Sequence, residues 1–353
     1  MSDATPNPSE MRAAVYRSKR QLSVENRDVP EPGANEVLLR ISHCGICGTD
    51  LHLVMDGWGS PDSVGGHEYS GVVAGVGSNV KEFVIDDRVV GAPEHGCGDC
   101  EYCAAHRPSL CTTSEFNMAA ADGAFAQYMC VPQHRLIRIP EGVSLRDAAL
   151  AEPLAVALHG ITQSKIQSGQ RALVLGAGPI GALTIAVLRT RGVDEIIVSE
   201  PGEARQALAR KLGASLVVAP DALESPPMPF TIVKNAVDCA YECSGKASAI
   251  ETALAQLRKG GRLVLLGTGM ERASLDGVRI ILNELEITGA YNYDESGFVA
   301  ALELLAEGVL PTSELLEAHD YTLDEMLPAM EALVSGKLAG KVLVAPGEGN
   351  KGN

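Results

Sequence analysis

A cysteine, a histidine and a glutamate of this chain have the residue types and the spacing of a zinc site that could act on an alcohol. Cys47 lies in the run HCGICGTDLH (residues 43–52), and His67 and Glu68 follow in a Gly-His-Glu triplet. Thiolate, imidazole and carboxylate ligands form catalytic zinc sites that leave a position for water or substrate. Zinc there acts as a Lewis acid and lowers the pKa of a bound alcohol toward neutrality. For Cys44 we keep inert packing as the interpretation, because most buried cysteines have that role.

Four further cysteines are crowded into one short segment and predict a structural zinc site. They follow the pattern C-x2-C-x2-C-x7-C, in a lobe with little apolar content, so that a metal would replace the missing core. Two alternatives stay open, an iron–sulfur cluster and four unconnected thiols. The cluster is disfavoured because its motif continues with x3-C-P. The predicted ligands are Cys97, Cys100, Cys103 and Cys111.

A glycine-rich segment predicts a dinucleotide site. The apolar run Ala172–Leu175 is typical of a buried parallel strand, the next six residues read G-x-G-x-x-G, and apolar residues then recur at helical spacing. The glycines allow a sharp turn, a close approach to a pyrophosphate and tight helix–sheet packing, and the helix N-terminus offers N–H groups to phosphate. The predicted cofactor-binding residues here are Gly176, Gly178, Pro179, Ile180 and Gly181.

An acidic residue at the end of the next predicted strand favours NAD over NADP. Glu200 follows Glu195–Ser199 at about 20 residues beyond the glycines, where a carboxylate binds the ribose hydroxyls and repels a 2′-phosphate. Arg205, about one turn further, is either a cofactor contact or a solvated helix arginine. Gly267 follows another predicted strand at its carboxyl end, where doubly wound sheets bind ligands.

The elements around these motifs predict an α/β chain of two parts. Strands alternate with helices from residue 171 to residue 290, which predicts βαβ units and a parallel sheet. Residues 11–150 consist instead of short β-like segments between turns, and helical segments are expected at 294–307 and 323–335. Predicted strands of the parallel sheet are Ala172–Leu175, Glu195–Ser199, Leu216–Val218, Val237–Glu242, Arg262–Gly267 and Glu286–Ala290.

Composition and charge exclude several classes of function. Hydrophobic residues make up 46% and charged residues 21% of the 353 residues, a globular mixture. The formal net charge of −16 repels phosphate backbones and anionic lipids, so we expect no nucleic-acid partner and no membrane partner. The first ten residues have no basic residue and no apolar core, unlike a signal peptide, and we expect a cytoplasmic protein.

Taken in order, these motifs resemble those of the zinc-dependent medium-chain dehydrogenase/reductase family. The order is G-I-C-G-T-D, G-H-E, the four-cysteine lobe, A-E-P-L and the dinucleotide unit, and the resemblance extends from about Met11 to Val344. It implies a GroES-like β-rich catalytic domain at residues 1–153 and 292–353. It also implies a Rossmann domain at residues 154–291 and an active site in the cleft between the two domains.

The resemblance assigns the ligands of the catalytic zinc. Cys47 and His67 match the first two ligands, and Glu68 matches a third ligand seen in the polyol-dehydrogenase branch. Glu152 stands where classical alcohol dehydrogenases have a cysteine ligand and where sorbitol-dehydrogenase-like members have glutamate. The sequence leaves open which of Glu68 and Glu152 binds zinc directly.

The resemblance also assigns roles in proton transfer. Thr49 matches the hydroxyl that takes the alcohol proton, and His52 matches the outer end of the proton relay. Asp50 matches the acid that orients His67. Lys341 is either a residue that reaches the pyrophosphate or a surface lysine.

The implied function is reversible hydride transfer between NAD and a secondary alcohol, polyol or vicinal diol, in an enzyme with one catalytic and one structural zinc. Alternatives are a primary-alcohol or aldehyde-reducing dehydrogenase of the same family, a zinc-free quinone or enone reductase, and a non-enzymatic NAD-binding protein. Trp58 is either a wall of the substrate pocket or a loop anchor. We expect a homodimer or homotetramer that contacts through residues 278–290, where the resemblance coincides with an apolar run.

Overall fold

The computed structural model describes residues 8–92, 96–113, 122–294 and 296–347. The chain divides into two compact units. The first contains Met1–Glu152, Ala318–Val334 and Val342–Asn353, and the second contains Pro153–Glu317 and Ser335–Lys341.

Strands and helices are named in chain order. Among the described residues, no helix has both the length and the apolar character that crossing a bilayer requires. The strands are β1 (Glu10–Ser18), β2 (Gln21–Asp28), β3 (Glu36–Gly45), β4 (Glu68–Val76), β5 (Arg88–Gly91), β6 (Tyr128–Pro132), β7 (Leu136–Arg138), β8 (Arg171–Leu175), β9 (Glu195–Ser199), β10 (Leu216–Val218), β11 (Val237–Glu242), β12 (Leu257–Leu265), β13 (Glu286–Gly289) and β14 (Leu343–Val344). The helices are α1 (Gly48–Leu51), α2 (Glu101–Ala104), α3 (Leu145–Ala148), α4 (Ala151–Ser164), α5 (Pro179–Thr190), α6 (Glu203–Lys211), α7 (Ala247–Gln256), α8 (Gly277–Asn283), α9 (Gly297–Ala306), α10 (Thr312–Leu315) and α11 (Met326–Val334).

The first unit is β-rich, as predicted for residues 11–150. An antiparallel sheet has the order β14-β3-β4-β5-β7, with β6 also paired to β3, and β1 and β2 form a separate hairpin. Residues 318–334 also belong to this unit, and Asp320 in this segment pairs with charged or ionisable side chains of the β-rich part. Asp320 accepts hydrogen bonds from Arg146 Nε at 3.0 and 2.9 Å, and one of its oxygens lies 3.4 Å from His43 Nε2.

The second unit contains the predicted parallel sheet, in the order β10-β9-β8-β11-β12-β13. Its central strands are almost fully buried, because helices cover both faces of such a sheet and leave no face for polar side chains. Leu173 of β8 and Leu263 of β12 are 1% and 0% exposed. This is the doubly wound α/β arrangement expected from the alternating pattern.

The predicted strands β9, β10 and β11 coincide with the observed ones, but β12 differs from its prediction. It begins at Leu257 rather than Arg262 and ends at Leu265. The residues Lys259, Gly260 and Gly261 resemble a turn in sequence, and Gly260 does have a positive φ of 68°. The strand nevertheless continues through them, with a register irregularity opposite β11.

The division into units also differs from the expected domain boundaries, since residues 292–317 lie in the second unit. These residues contact helices of the second unit. Helix α10 contacts α5, and Glu314 pairs with Lys211 of α6 at 3.0 Å. At the start of α9, a Cβ on Gly297 would lie 3.5 Å from the Cβ of Ala155 in α4.

Candidate active site

Three predicted metal ligands converge in the first unit. Cys47 is the N-cap residue of α1, two residues after the end of β3, and Glu68 is the first residue of the neighbouring strand β4. Because Gly45 of β3 pairs with Glu68 in the sheet, the two sequence motifs are brought to the same edge. One ligand atom each of Cys47, His67 and Glu68 lies within 4.8 Å of the others.

The charges around this cluster fit a cation. Burial would lower the pKa of His67, but the charges of Cys47 and Asp50, a hydrogen bond with Cys47 and the charge of Glu152 raise this pKa well above its usual value. Glu68 is 0% exposed. A half-buried thiol, a half-buried imidazole and a buried carboxylate, with Asp50 and Glu152 nearby, form a site rich in acidic groups that a divalent metal would neutralise.

The two glutamates have different positions relative to this cluster. Glu68 contributes one of the three converging ligand atoms. Glu152 lies in the first turn of α4, is 6% exposed and raises the pKa of His67 through its charge.

Glycine 45 makes room for the Glu68 carboxylate. A Cβ at this position would lie 2.2 Å from Glu68 Oε2 and 3.2 Å from Glu68 Cβ. Real Cβ atoms do not approach so closely, and therefore the carboxylate can stay at the cluster only while residue 45 has no side chain.

The predicted proton-transfer residues follow Cys47 in a short helical segment. Thr49 lies in α1 and is half-buried. Asp50 is 2% exposed, and its Oδ2 accepts a hydrogen bond from the Cys47 N–H at 2.8 Å. Its Oδ1 lies 3.9 Å from His67 Nδ1, which is an ion-pair distance rather than a hydrogen bond.

His52 is held by two neighbours that the sequence analysis did not single out for that role. It begins a π-helical turn, His52–Asp56, and its Nδ1 lies 2.7 Å from Asp56 Oδ2. The ring of Trp58 stacks on the imidazole, with centroids 4.7 Å apart and planes 13° apart. Trp58 is 48% exposed. The stack therefore makes Trp58 part of the His52 environment, and π-helical turns of this kind occur frequently at functional sites.

The four lobe cysteines also converge. Their four sulfur atoms all lie within 4.8 Å of one another. Backbone N–H groups of Cys97 and Cys100 donate to the sulfurs of Cys111 and Cys97, both at 3.3 Å. Hydrogen bonds from Thr113 and from the backbone of Asp99 and Cys100 lower the pKa of Cys97 to about 6. Hydrogen bonds also lower the pKa of Cys100, whereas burial and the neighbouring cysteines raise the pKa of Cys103. The contacts therefore favour the thiolate, the form that binds zinc, at Cys97 and Cys100.

The glycine-rich loop of the second unit has the predicted geometry. Gly176 has a φ of 89°, Gly178 is the N-cap of α5 and Pro179 is its first residue. A Cβ on Gly181 would lie 1.9 Å from the Gly176 carbonyl oxygen. Ile180 follows Pro179 in the first turn of the same helix.

Glu200 is fixed by the backbone beside this loop. It directly follows β9 and is 3% exposed. Oε2 accepts from the Ala177 N–H and Oε1 accepts from the Gly202 N–H, both at 2.8 Å. Each carboxylate oxygen has a second lone pair, so the group can still accept from a ribose hydroxyl.

The other predicted cofactor residues lie in the same unit. Arg205 is half-buried on α6. Gly267 follows β12, and its N–H donates to the carbonyl oxygen of Glu242 at 2.9 Å. Lys341 is 2% exposed, which rules out the alternative of a surface lysine, and its backbone N–H donates to Leu315 at 2.8 Å.

One buried acid was missed by the sequence analysis. Glu242 ends β11, is 0% exposed and accepts hydrogen bonds from the turn that follows. An acid at the carboxyl end of an apolar strand, followed by Cys-Ser-Gly, was the available signal. The same signal identified Glu200, which has a glycine-rich motif upstream to draw attention to it.

Comparisons with known proteins agree with this geometry. The alcohol dehydrogenase GroES-like domain matches residues 33–141, and the zinc-binding dehydrogenase domain matches residues 179–307. Sorbitol dehydrogenase of Bacillus subtilis is 34% identical over 96% of this chain and 98% of its own length.

Solved structures show the same fold. The 2R,3R-butanediol dehydrogenase of Bacillus subtilis has a TM-score of 0.84 at 29% identity and covers 95% of this chain and 99% of its own. A protein of Sinorhizobium meliloti 1021, solved bound to NADP, has a TM-score of 0.85 at 32% identity and covers 96% and 100%. The chain therefore belongs to the zinc-dependent medium-chain dehydrogenase/reductase, or alcohol dehydrogenase, family. It is an oxidoreductase that uses zinc and a nicotinamide cofactor.

We predict that Gly45→Ala weakens metal binding at the Cys47 cluster. The added methyl group displaces the Glu68 carboxylate. Loss of a residue that only orients a ligand lowers metal affinity by about 10- to 100-fold, and displacement of the ligand itself should cost at least as much. Competition with a chelator, followed by metal analysis, measures the effect. Gly347→Ala is the matched control, because no atom lies within 4 Å of a Cβ there. Equal zinc retention in the two variants would contradict the assignment of Glu68 as a ligand.

Proposed function

We propose that this chain catalyses reversible oxidation of a secondary alcohol, of the polyol or vicinal-diol class, with NAD as the preferred cofactor. The convergence of the Cys47, His67 and Glu68 ligand atoms within 4.8 Å is the observation that carries the proposal. Zinc bound there supplies Lewis-acid polarisation of the alcohol oxygen, and the nicotinamide supplies the hydride acceptor.

In this proposal, two residues of the first unit, Thr49 and His52, transfer the proton. Thr49 and His52 are three positions apart in the helical segment after Cys47, a spacing that puts side chains on one face. In the proposed relay the Thr49 hydroxyl takes the alcohol proton and His52 delivers it to water. Asp50 holds the Cys47 N–H and faces His67, which fixes the orientation of both ligands.

Asp56 and Trp58 prepare His52 for this role. A carboxylate oxygen 2.7 Å from Nδ1 keeps the proton on that nitrogen, so that Nε2 presents its lone pair to an incoming proton. The stacked Trp58 ring restricts rotation of the imidazole. His52 is 31% exposed, which is sufficient for exchange with water.

Two observations support a secondary alcohol as substrate. The buried residue at position 152 is a glutamate where the classical primary-alcohol branch has a cysteine ligand. Among the similar proteins, one is a sorbitol dehydrogenase and another is a butanediol dehydrogenase, and both of those substrates carry secondary hydroxyls.

The preference for NAD rests on Glu200. Two backbone N–H groups hold its carboxylate beside the glycine-rich loop, so it cannot turn away from a ribose bound there. A 2′-phosphate would add negative charge next to a buried carboxylate. Arg205, on the following helix, is the residue that could offset this repulsion, and the NADP bound to the Sinorhizobium meliloti relative makes NADP the alternative.

We also propose two zinc ions per chain, the second in the lobe of four cysteines. The convergence of their sulfurs and the N–H donors around them support a structural site. Four cysteine ligands are typical of closed, structural zinc sites.

A homodimer through the edge of the parallel sheet is the proposed assembly, with a tetramer as the alternative. β13 is the edge strand of the sheet, and α8, just before it, exposes apolar side chains. Val278, Ile281 and Leu282 are 56%, 75% and 50% exposed. An exposed apolar patch beside an unpaired strand edge is typical of a protein–protein contact.

The zinc-loaded protein is expected to reduce NAD with secondary alcohols, polyols or vicinal diols well above primary alcohols. Initial rates over a panel that also contains cyclitols and threonine measure this. Cys47→Ser should lower kcat/KM by at least about 1000-fold, because loss of a ligand removes the electrostatic stabilisation of the developing alkoxide. Activity with primary alcohols alone would contradict the substrate class, and unchanged turnover in Cys47→Ser would contradict the zinc mechanism.

The wild-type protein is expected to have a kcat/KM for NAD at least about tenfold above that for NADP. Glu200→Gln keeps an acceptor oxygen and removes the charge, so it should narrow this ratio mainly by improving the use of NADP. Glu195→Gln, at the other end of β9 and 50% exposed, is the control. A wild-type protein that prefers NADP tenfold would show that Glu200 does not set the preference.

Ile281→Lys is expected to shift the protein toward monomers in sedimentation velocity, because a charge would be buried at the proposed contact. Val84→Lys, at an exposed apolar residue of the first unit, should leave the assembly unchanged. An unchanged sedimentation coefficient for Ile281→Lys would place the contact elsewhere.

A further inference from the structure

A buried glutamate with no assigned role ends one of the two strands that flank β8. Glu242 is the last residue of β11, and β8 lies between β9 and β11 in the sheet. Glu242 is 0% exposed. Glutamate is almost never fully buried unless its charge has partners, so the position requires an explanation.

Within the part of the chain that the structure describes, the hydrogen bonds to this carboxylate come from the turn that follows. Oε1 accepts from the Ser244 N–H at 2.7 Å, from the Gly245 N–H at 2.9 Å and from the Ser244 hydroxyl. Burial raises the pKa of Glu242, while these hydrogen bonds act in the opposite direction. The group therefore folds residues 243–245 back over the end of its own strand.

The turn held in this way contacts the glycines on both of its sides. A Cβ on Gly176 would lie 2.9 Å from Ser244 Cβ, and a Cβ on Gly267 would lie 2.2 Å from the Gly245 nitrogen. Gly245 itself has a φ of 69°, and a Cβ there would lie 2.4 Å from the Thr268 carbonyl oxygen. The loops after β8, β11 and β12 thus pack backbone against backbone.

Glu200 has a parallel arrangement on the other side of β8. It follows β9 and accepts the N–H groups of Ala177 and Gly202. Each strand that flanks β8 therefore has a buried glutamate at its carboxyl end, Glu242 as the last residue of β11 and Glu200 directly after β9, and each glutamate holds a loop at that edge of the sheet. Ligands of doubly wound sheets bind at that edge.

We propose that Glu242 is a positioning residue for the nicotinamide cofactor. By holding the Ser244–Gly245 turn against Gly176 and Gly267, its carboxylate fixes the shape of the loop surface that the cofactor contacts. The inference rests on cofactor binding at the glycine-rich loop and does not depend on the identity of the alcohol. Glu242 needs no contact with the cofactor, because it acts through the turn.

The test compares Glu242→Leu, which removes all acceptors, with Glu242→Gln, whose Oε1 can keep the contacts to Ser244 and Gly245. Glu195→Gln is the control at the opposite end of the sheet. Fluorescence titration of the zinc-loaded, full-length protein gives the cofactor dissociation constant, with whichever of NADH and NADPH the wild type binds more tightly. Thermal unfolding and steady-state kinetics are measured on the same samples.

Glu242→Leu is expected to raise the dissociation constant and the cofactor KM at least tenfold, with less than a threefold change in kcat at saturating cofactor. Glu242→Gln and Glu195→Gln should stay within threefold of the wild type. Gly245→Ala, which pushes the turn away from Thr268 without touching the carboxylate, should weaken binding as Glu242→Leu does. If Glu242→Leu does not fold, the cofactor affinity of Gly245→Ala tests the proposal in its place.

A folded Glu242→Leu or Gly245→Ala protein with wild-type cofactor affinity overturns the proposal, even if its unfolding temperature is lower. Equal losses in Glu242→Gln and Glu242→Leu overturn the argument that acceptor oxygens hold the turn. Cofactor binding is measured without an alcohol, so failure of the proposed substrate class leaves this result unaffected.

Discussion

The cluster of Cys47, His67 and Glu68 is the constraint on which the first unit depends. The half-buried Cys47 sulfur lies there with the buried carboxyl group of Glu68, and two more buried acids, Asp50 and Glu152, act on His67. Buried charges of one sign are costly unless a partner neutralises them. A divalent cation bound at the cluster would be such a partner, and it would account for so many acidic groups at one edge of a sheet.

Missing side chains are as important to both functional regions as the reactive ones. Gly45 leaves the space that Glu68 Oε2 occupies, and in the four-cysteine lobe a Cβ on Gly96 would lie 2.5 Å from Cys103 Sγ. In the second unit, Gly176, Gly245 and Gly267 let three loops touch through their backbones. Metal ligands and cofactor loops therefore share one requirement, which is close approach of the main chain.

Much of this could be predicted from the sequence, because the relevant residues lie in short motifs. Cys47, His67 and Glu68 converge as expected, and so do the lobe cysteines. The turn at Gly176 and the helix start at Pro179 follow from the conformational limits of glycine and proline, which are local properties. The strands β9, β10 and β11 are apolar and bounded by turn residues, which made their limits readable.

Several features could not be predicted from the sequence because they depend on contacts between residues that are distant in the chain, or on residues whose local preference differs from their observed structure. The different placement of Glu68 and Glu152 is decided by sheet pairing of Gly45 with Glu68, which spacing does not encode. The roles of Asp56 and Glu242 depend on which donors their carboxylates meet, and acids are common on any surface. At β12 the Lys-Gly-Gly stretch has the local preference of a turn, but the residues on either side of it, Leu257 and Arg262, pair with β11 and keep it within the strand.

The most direct test of the account is the number of zinc ions per chain in purified protein, measured together with the cobalt-substituted absorption spectrum. We expect two zinc ions in the wild type, and one each in Cys47→Ser and Cys103→Ser. Cobalt at the Cys47 site should show thiolate charge-transfer bands of a single sulfur ligand, and those bands should be lost in Cys47→Ser. A wild-type protein with full dehydrogenase activity and no metal at the Cys47 site would contradict the account.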